Sequence, residues 1–354
     1  MKKTLAAVAV LGAFAGSALA ADVTLYGLVD MGLGYSHVDN NGTKTDSWGL
    51  ESGQNSMSRI GFKGTEQLTE DVTVGFVLEN GFHADNGTLY SAFFHRQSSL
   101  FVKTAFGEVG MGRFGALDST TGSYNMAGSS LHATTGVAGV GDTGVIFLGQ
   151  KSRMDNSVVY VSPEFAGFQV RAMASLGGMD DEQEASSDTD RYYALGASYK
   201  AGAFSTKLIV SQLDRGHKAA NVEDALTVTA GARYDFGVTT VSLAAQYFDE
   251  ASVTLLDKTA GELNGKGYAV TLGAVTPVMG GDLTTQAGYV DAEAVANSDQ
   301  TRTAWNVGAI YEYPLSKRTM VYGALGYQVE EDEAIGYSYE VKAVNAGFGM
   351  VHKF

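Results

Sequence analysis

The sequence predicts an all-β chain: a sixteen-stranded antiparallel β-barrel that spans a bilayer, with its third long loop folded inward. Three observations predict it. Short runs of alternating apolar and polar residues recur from Val23 to Phe354, and a period of two with one apolar face marks a half-covered strand. The connections between runs alternate between short turns and longer, mostly acidic loops. One window, Ala116–Gln150, drops the alternation and fills with Gly, Ser, Thr, Asp and Asn.

The chain opens Met1-Lys2-Lys3, runs apolar from Leu5 to Gly16 and reaches Ser17-Ala18-Leu19-Ala20. A basic start, a short apolar core and an Ala-x-Ala site are the parts of a secretory signal peptide. Residues 1–20 are therefore expected to be removed, leaving 21–354 as the barrel. The apolar run is shorter than the about 20 residues a spanning helix needs.

In the first run Val23, Leu25, Val29, Met31, Leu33 and Tyr35 share one face, and Thr24, Tyr26, Asp30, Gly32 and Gly34 the other. Near residue 72 the faces are Val72/Val74/Phe76/Leu78 and Thr73/Gly75/Glu79; near 226 they are Leu226/Val228/Ala230/Ala232/Tyr234 and Thr227/Thr229/Gly231/Arg233/Asp235. The pattern repeats at Val241/Leu243/Ala245/Tyr247, Tyr268/Val270/Leu272/Ala274 and Trp305/Val307/Ala309/Tyr311. Counted along the chain, the runs fall near 23–37, 56–66, 71–82, 93–104, 108–114, 153–162, 167–178 and 190–200. Eight more fall near 203–214, 224–236, 238–249, 265–276, 281–292, 301–313, 319–329 and 339–354.

Seven connections are short: Gln67–Glu70, Ala105–Gly107, Pro163–Ala166, Ala201–Gly202, Phe236–Gly237, Pro277–Gly280 and Leu315–Arg318. Eight are longer: His37–Asn55, His83–Ala92, Ala116–Gln150, Gly178–Thr189, Asp214–Glu223, Asp249–Asn264, Ala292–Gln300 and Glu330–Tyr337. Short turns at one rim and long loops at the other are the asymmetry of bilayer-spanning barrels. A soluble β-sandwich would also alternate, but with its polar face outward. A closed sixteen-strand barrel encloses a polar lumen and turns its apolar face out, and it leaves no backbone group unpaired in lipid.

Composition agrees. Proline, which interrupts strand ladders, occurs 3 times, against 45 Gly, 18 Tyr and 17 Phe. Without the export signal, 22 basic residues face 39 acidic ones, a net charge of about −17. That charge disfavours nucleic acid, which is held through clustered Lys and Arg. No cysteine is present although an exported protein could use disulfides, so closure of the sheet is the expected constraint on the fold. A loop as long as Ala116–Gln150 inside a compact domain is usually functional; its expected place is the lumen, where it narrows a pore.

The chain carries in order Val23-Thr24-Leu25-Tyr26-Gly27-Leu28-Val29-Asp30, Ser58-Arg59-Ile60-Gly61-Phe62-Lys63-Gly64-Thr65-Glu66 and Phe94-His95-Arg96-Gln97. Gly110-Met111-Gly112-Arg113-Phe114, Arg153-Met154-Asp155-Asn156-Ser157-Val158-Val159-Tyr160 and Ser162-Pro163-Glu164-Phe165-Ala166-Gly167-Phe168 follow. Taken in this order, these stretches resemble the general porins of Gram-negative bacteria of neisserial and betaproteobacterial type. The last run ends on Phe354 with Val344, Ala346, Phe348 and Met350 on the same face, and resembles the terminal signal read by the barrel assembly machinery.

The resemblance implies a homotrimeric, water-filled channel in the outer membrane, in contact with lipid and lipopolysaccharide, passing small hydrophilic solutes and ions without a cofactor. It implies that Arg59, Arg96 and Arg153 form a basic wall facing the third loop. Alternation agrees for Arg59, which shares a face with Gly61 and Lys63. Arg113 has the parity of the apolar Val109 and Met111, so only a bend would turn it inward as a fourth. The loop carries two acids, Asp118 and Asp142, with His132 nearby. Rows of charge set pore selectivity, and three arginines against two acids predict a weak anion preference. Asp180-Asp181-Glu182 and Glu330-Glu331-Asp332-Glu333 would oppose it at the mouth, but within a Debye length of about 8 Å the narrowest ring dominates.

Three rival functions are open to such a chain. A lipid-hydrolysing barrel would need a nucleophile beside one of His37, His83, His95, His132, His217 or His352, but no such motif and no His-Glu-x-x-His metal spacing occurs. A substrate-specific channel for sugars or organic anions would need an aromatic track, to which Tyr124 and Phe147 could belong. An adhesin would need longer loops.

Overall fold

The computed structural model describes residues 22–128, 152–177, 190–216, 223–253 and 263–354. The expected export signal and the long loop beyond residue 128 lie outside them. The described chain forms one antiparallel sheet. Its first strands are β1 (Asp22–Asn40), β2 (Thr43–Ser52), β3 (Arg59–Thr69), β4 (Val72–Gly81), β5 (Gln97–Thr104) and β6 (Gly107–Gly115). Next come β7 (Arg153–Val161), β8 (Phe168–Ser175), β9 (Arg191–Ala201), β10 (Phe204–Asp214), β11 (Ala225–Asp235) and β12 (Thr240–Val253). The last are β13 (Leu263–Val278), β14 (Gly281–Ala294), β15 (Thr301–Pro314), β16 (Thr319–Ala334) and β17 (Tyr337–Lys353).

β1 pairs with β17, which closes the sheet on itself. β1 also pairs with β2 through its outer half, Met31–Asn40, and with β3 through its inner half, Asp22–Leu28. β2 and β3 are therefore two halves of one stave, and the barrel has the sixteen staves that the alternation predicts. Apolar side chains at the outward positions, among them Leu25, Leu33, Leu100, Leu195, Leu243, Leu272 and Phe348, are exposed on the outer surface, as a lipid-facing barrel requires. Tyr247, Tyr268, Tyr289, Trp305 and Tyr327 lie on that face of neighbouring staves, with Tyr268–Tyr289 centroids 6.3 Å and Trp305–Tyr327 centroids 5.4 Å apart, an aromatic girdle of the kind found at a membrane interface.

Closure is sealed at the end of the chain. Gly27 and Phe354 exchange main-chain hydrogen bonds of 3.1 and 3.0 Å, and the Phe354 ring lies over Gly27, where a Cβ would sit 2.5 Å from ring Cζ. Gly27→Val forces ring and strand apart, an overpacking cost of about 1–3 kcal/mol. The expected result is a smaller folded fraction on an unheated SDS gel after refolding, and a lower unfolding temperature, with Phe354→Ala affected less because the main-chain pair survives.

Two expected loops are largely strand. His37–Asn55 contains the outer end of β1, a two-residue turn and β2. Asn41 and Gly42 have φ of +48° and +90°, the pair of positive values that a tight hairpin turn requires, and Asp46 accepts from Tyr35 (2.7 Å) and contacts His37 Nδ1 (2.8 Å) across the ladder. Thr43-Lys44-Thr45-Asp46-Ser47 is too polar to read as a strand because this hairpin stands above the lipid. Glu330–Tyr337 is likewise β16 turning into β17 at Ile335-Gly336. Its acids divide by strand parity rather than lining the mouth together. Asp332 pairs with Arg302 at 2.9 Å, both 2% exposed, and Glu330 is buried, whereas Glu331 and Glu333 are exposed. Asp180-Asp181-Glu182 lies outside the described residues.

Candidate functional site: a basic wall and the loop beside it

Glu79, on the lumen face of β4, organises the basic wall. It accepts from Arg96 Nε at 2.6 Å and from Tyr26 at 3.1 Å, and its second oxygen lies 4.0 Å from Arg59 Nε. The Arg96 main chain is tied to the same residue, N–H to Glu79 carbonyl at 3.2 Å. Arg153, the first residue of β7, donates from Nε to the Arg96 carbonyl at 2.9 Å. Arg96 and Arg153 are 6% and 8% exposed, whereas Arg59 keeps 29% of its side chain accessible. Arg59 is thus the most accessible of these three guanidiniums.

The bend that Arg113 needs is present. Between β6 and β7 the register shifts, so that Asp155 and Asn156 together oppose Arg113. Gly112 takes φ of +129° and Asn156 φ of +48°, the backbone signature of a bulge, which re-aims a side chain. Arg113 then donates to the His95 carbonyl (2.7 Å) and to Asp155 Oδ1 (2.6 Å). The His95 imidazole, in the β4–β5 connection, is held below its usual range by burial and by the Arg153 and Arg96 guanidiniums, so it is neutral at pH 7 and adds no charge. Among the described residues, four guanidiniums meet two carboxylates here. Sequence reasoning does not single out Glu79 or Asp155; the parity of Glu79 on β4 is the available signal, while Asp155 enters through the bulge.

The described part of the third loop, 116–128, leaves β6 and enters the lumen. Asp118, expected as a loop acid facing the arginines, is instead 4% exposed against the β9–β11 wall. It accepts from Tyr192 (2.7 Å), Ser211 (2.6 Å) and Thr227 (3.3 Å); three hydroxyls on three neighbouring staves are better partners for a buried carboxylate than open water. Farther along, Tyr124 donates to Glu108 at 2.6 Å and packs edge-on to Phe114 at 5.2 Å. Arg171 donates to the Tyr124 and Asn125 carbonyls and Lys207 to that of Met126, while Ser123 reaches Gln97 at 2.7 Å. Tyr124 is thereby packing that fixes the loop. Asp142, His132 and Phe147 lie outside the described residues.

A family profile for Gram-negative porins matches residues 6–333. The chain belongs to that family. Outer membrane porin protein 32 of Delftia acidovorans is 30% identical over 363 residues, covering 98% of this chain and 95% of that one. Major outer membrane protein P.IB of Neisseria meningitidis is 29% identical with full coverage of both chains. An anion-selective porin from Comamonas acidovorans superposes with a TM-score of 0.70 at 25% identity, covering 94% of this chain and all of the other. This porin is a general diffusion channel of the outer membrane; the relatives do not favour the substrate-specific alternative. Its barrel and lumen follow from the alternation of its strands.

Proposed function

We propose that this porin passes small hydrophilic anions in preference to cations. The observation that carries the reading is the imbalance at the basic wall. Among the described residues Arg59, Arg96, Arg113 and Arg153 meet only Glu79 and Asp155, while Asp118, the described acid of the loop, is engaged in holding the loop to β9–β11. A net positive wall lowers an anion's energy and raises a cation's at the narrowest point. The structurally similar porin of Comamonas acidovorans is anion-selective, which supports the same sign. We further propose that the chain is exported through residues 1–20, is assembled through Phe354 and functions as a homotrimer in lipopolysaccharide-bearing membrane, with no catalytic turnover.

The test is a planar bilayer under a KCl gradient. Ohmic steps, grouped in threes, with an anion-signed reversal potential are expected. One charge about 8 Å from an ion is worth roughly 0.5 kcal/mol even at the dielectric of water. Because cation and anion shift oppositely, Arg59→Ala should lower the anion-to-cation permeability ratio about fivefold. A cation-signed potential in the unmodified protein would overturn the assignment of the arginines as the filter.

A further inference from the structure

The six residues between β2 and β3, Gly53 to Ser58, oppose only Val29 and Asp30 of β1. Irregular backbone at membrane depth is tolerated where it is buried in protein or lines water, and this excursion turns into the barrel. Gln54 lies over the lumen face of β1, where a Cβ on Gly32 would sit 3.0 Å from its Oε1 and one on Gly34 2.5 Å from its Nε2. Asn55 reaches across β17 and β16 to donate to Glu312 of β15 at 2.7 Å. Met57 sits under the basic wall, its Sδ 2.7 Å from Arg96 Nη1.

Asp30 holds the excursion in place. Its carboxylate, fully buried, accepts from the N–H groups of Asn55 (2.8 Å) and Ser56 (2.6 Å) and from the Tyr322 hydroxyl (2.8 Å). Its carbonyl accepts from Gly53 N–H at 3.1 Å and from the Ser58 hydroxyl at 3.2 Å, and its own N–H donates to Ser58 Oγ at 3.0 Å. One residue thus supplies the partners that the interrupted ladder lacks.

We propose that residues 53–58, stapled by Asp30, are a second constriction element that narrows the lumen from the β1–β15 side and fixes the position of Arg96. This element rests on the diffusion-pore reading and adds to it a determinant of channel size separate from the third loop. The carboxylate is the anchor, Asn55 is the strut to β15, and Met57 joins the segment to the selectivity wall.

The chain has no cysteine, so Ser56→Cys introduces a single thiol with little change of volume. A sulfonate-bearing methanethiosulfonate should add to it, seen as a mass shift, and should lower single-channel conductance and anion preference relative to the same Ser56→Cys protein before modification. Asp30→Ala, and separately Asn55→Ala with Tyr322→Phe, should raise conductance roughly 1.5-fold, since the narrowest section limits conduction. Labelling without a change in conductance, absence of labelling, or unchanged conductance in folded Asn55→Ala/Tyr322→Phe barrels would overturn the proposal, even if Asp30→Ala does not fold. No conducting steps from the unmodified protein would instead overturn the diffusion-pore reading.

Discussion

Asp118→Ala is expected to release the third loop from the β9–β11 wall and to produce the largest loss of order of any single change in the lumen. Its carboxylate is the shared acceptor of Tyr192, Ser211 and Thr227, and those three side chains are 0%, 1% and 1% exposed. Removing the acceptor strands buried donors, at about 1–3 kcal/mol for each left unsatisfied. Ser211 and Thr227 lie 2.7 Å apart and can pair with each other, which leaves Tyr192 as the main orphan and a total of about 1–3 kcal/mol. The barrel ladder does not depend on this residue. The expected phenotype is therefore a folded barrel with a lower unfolding temperature, larger mean conductance and noisy, flickering current. Tyr192→Phe, which removes one of the donors together with its demand, should show the same tendency more weakly. Quiet wild-type currents from a folded Asp118→Ala barrel would show that contacts such as Tyr124–Glu108 and Arg171 to the loop carbonyls hold the loop unaided.

Glu79→Gln is expected to move selectivity in the direction opposite to Arg59→Ala. Glu79 neutralises the wall from within, bonded to Arg96 and next to Arg59. Removing its charge raises the net positive charge of the cluster by one. The same Coulomb estimate, roughly 0.5 kcal/mol per ion at about 8 Å in water, predicts an increase of about fivefold in the anion-to-cation ratio. The increase has a structural cost. Arg96 is nearly buried and loses its charged partner, and breaking a buried pair costs about 3–5 kcal/mol; the amide oxygen that replaces the carboxylate still accepts from Nε and offsets part of that. Reversal potentials at several salt concentrations check both features, because the more exposed Arg59 should be screened more strongly than the buried members. Opposite shifts for Arg59→Ala and Glu79→Gln identify the cluster as the selectivity element. Shifts of the same sign would mean that each substitution acts by deforming the wall.

Much of the fold was legible in the sequence, because strand periodicity is a local property and the medium enforces it. A one-residue slip would turn the apolar face of Leu243 or Leu272 inward, so Val241/Leu243/Ala245/Tyr247 and Tyr268/Val270/Leu272/Ala274 declare their faces unaided. The seven short turns are legible for the same reason. Above the lipid that pressure lapses: Thr43–Ser52 and Glu330–Glu333 form strands through ladder bonds and turn chemistry alone, and their polar sequences read as loops. Parity also placed Arg59, whose face follows from Ile60 and Phe62. It left Arg113 pointing outward, because a bulge at Gly112 and Asn156 is invisible to a period of two.

The sequence by itself therefore determined the staves, their facing and the inward loop. Only the tertiary structure decided which charges of the lumen remain available to solutes. Asp118 and Arg59 are both polar residues of the lumen wall or its loop, and nothing in their neighbours along the chain separates them. Asp118 meets three hydroxyls from β9, β10 and β11, whereas Arg59 meets a shared carboxylate at 4.0 Å and water. Those partners lie tens of residues away and come together only when the barrel closes. The sequence carries the charges; closure decides which of them are neutralised, buried or left to act on ions.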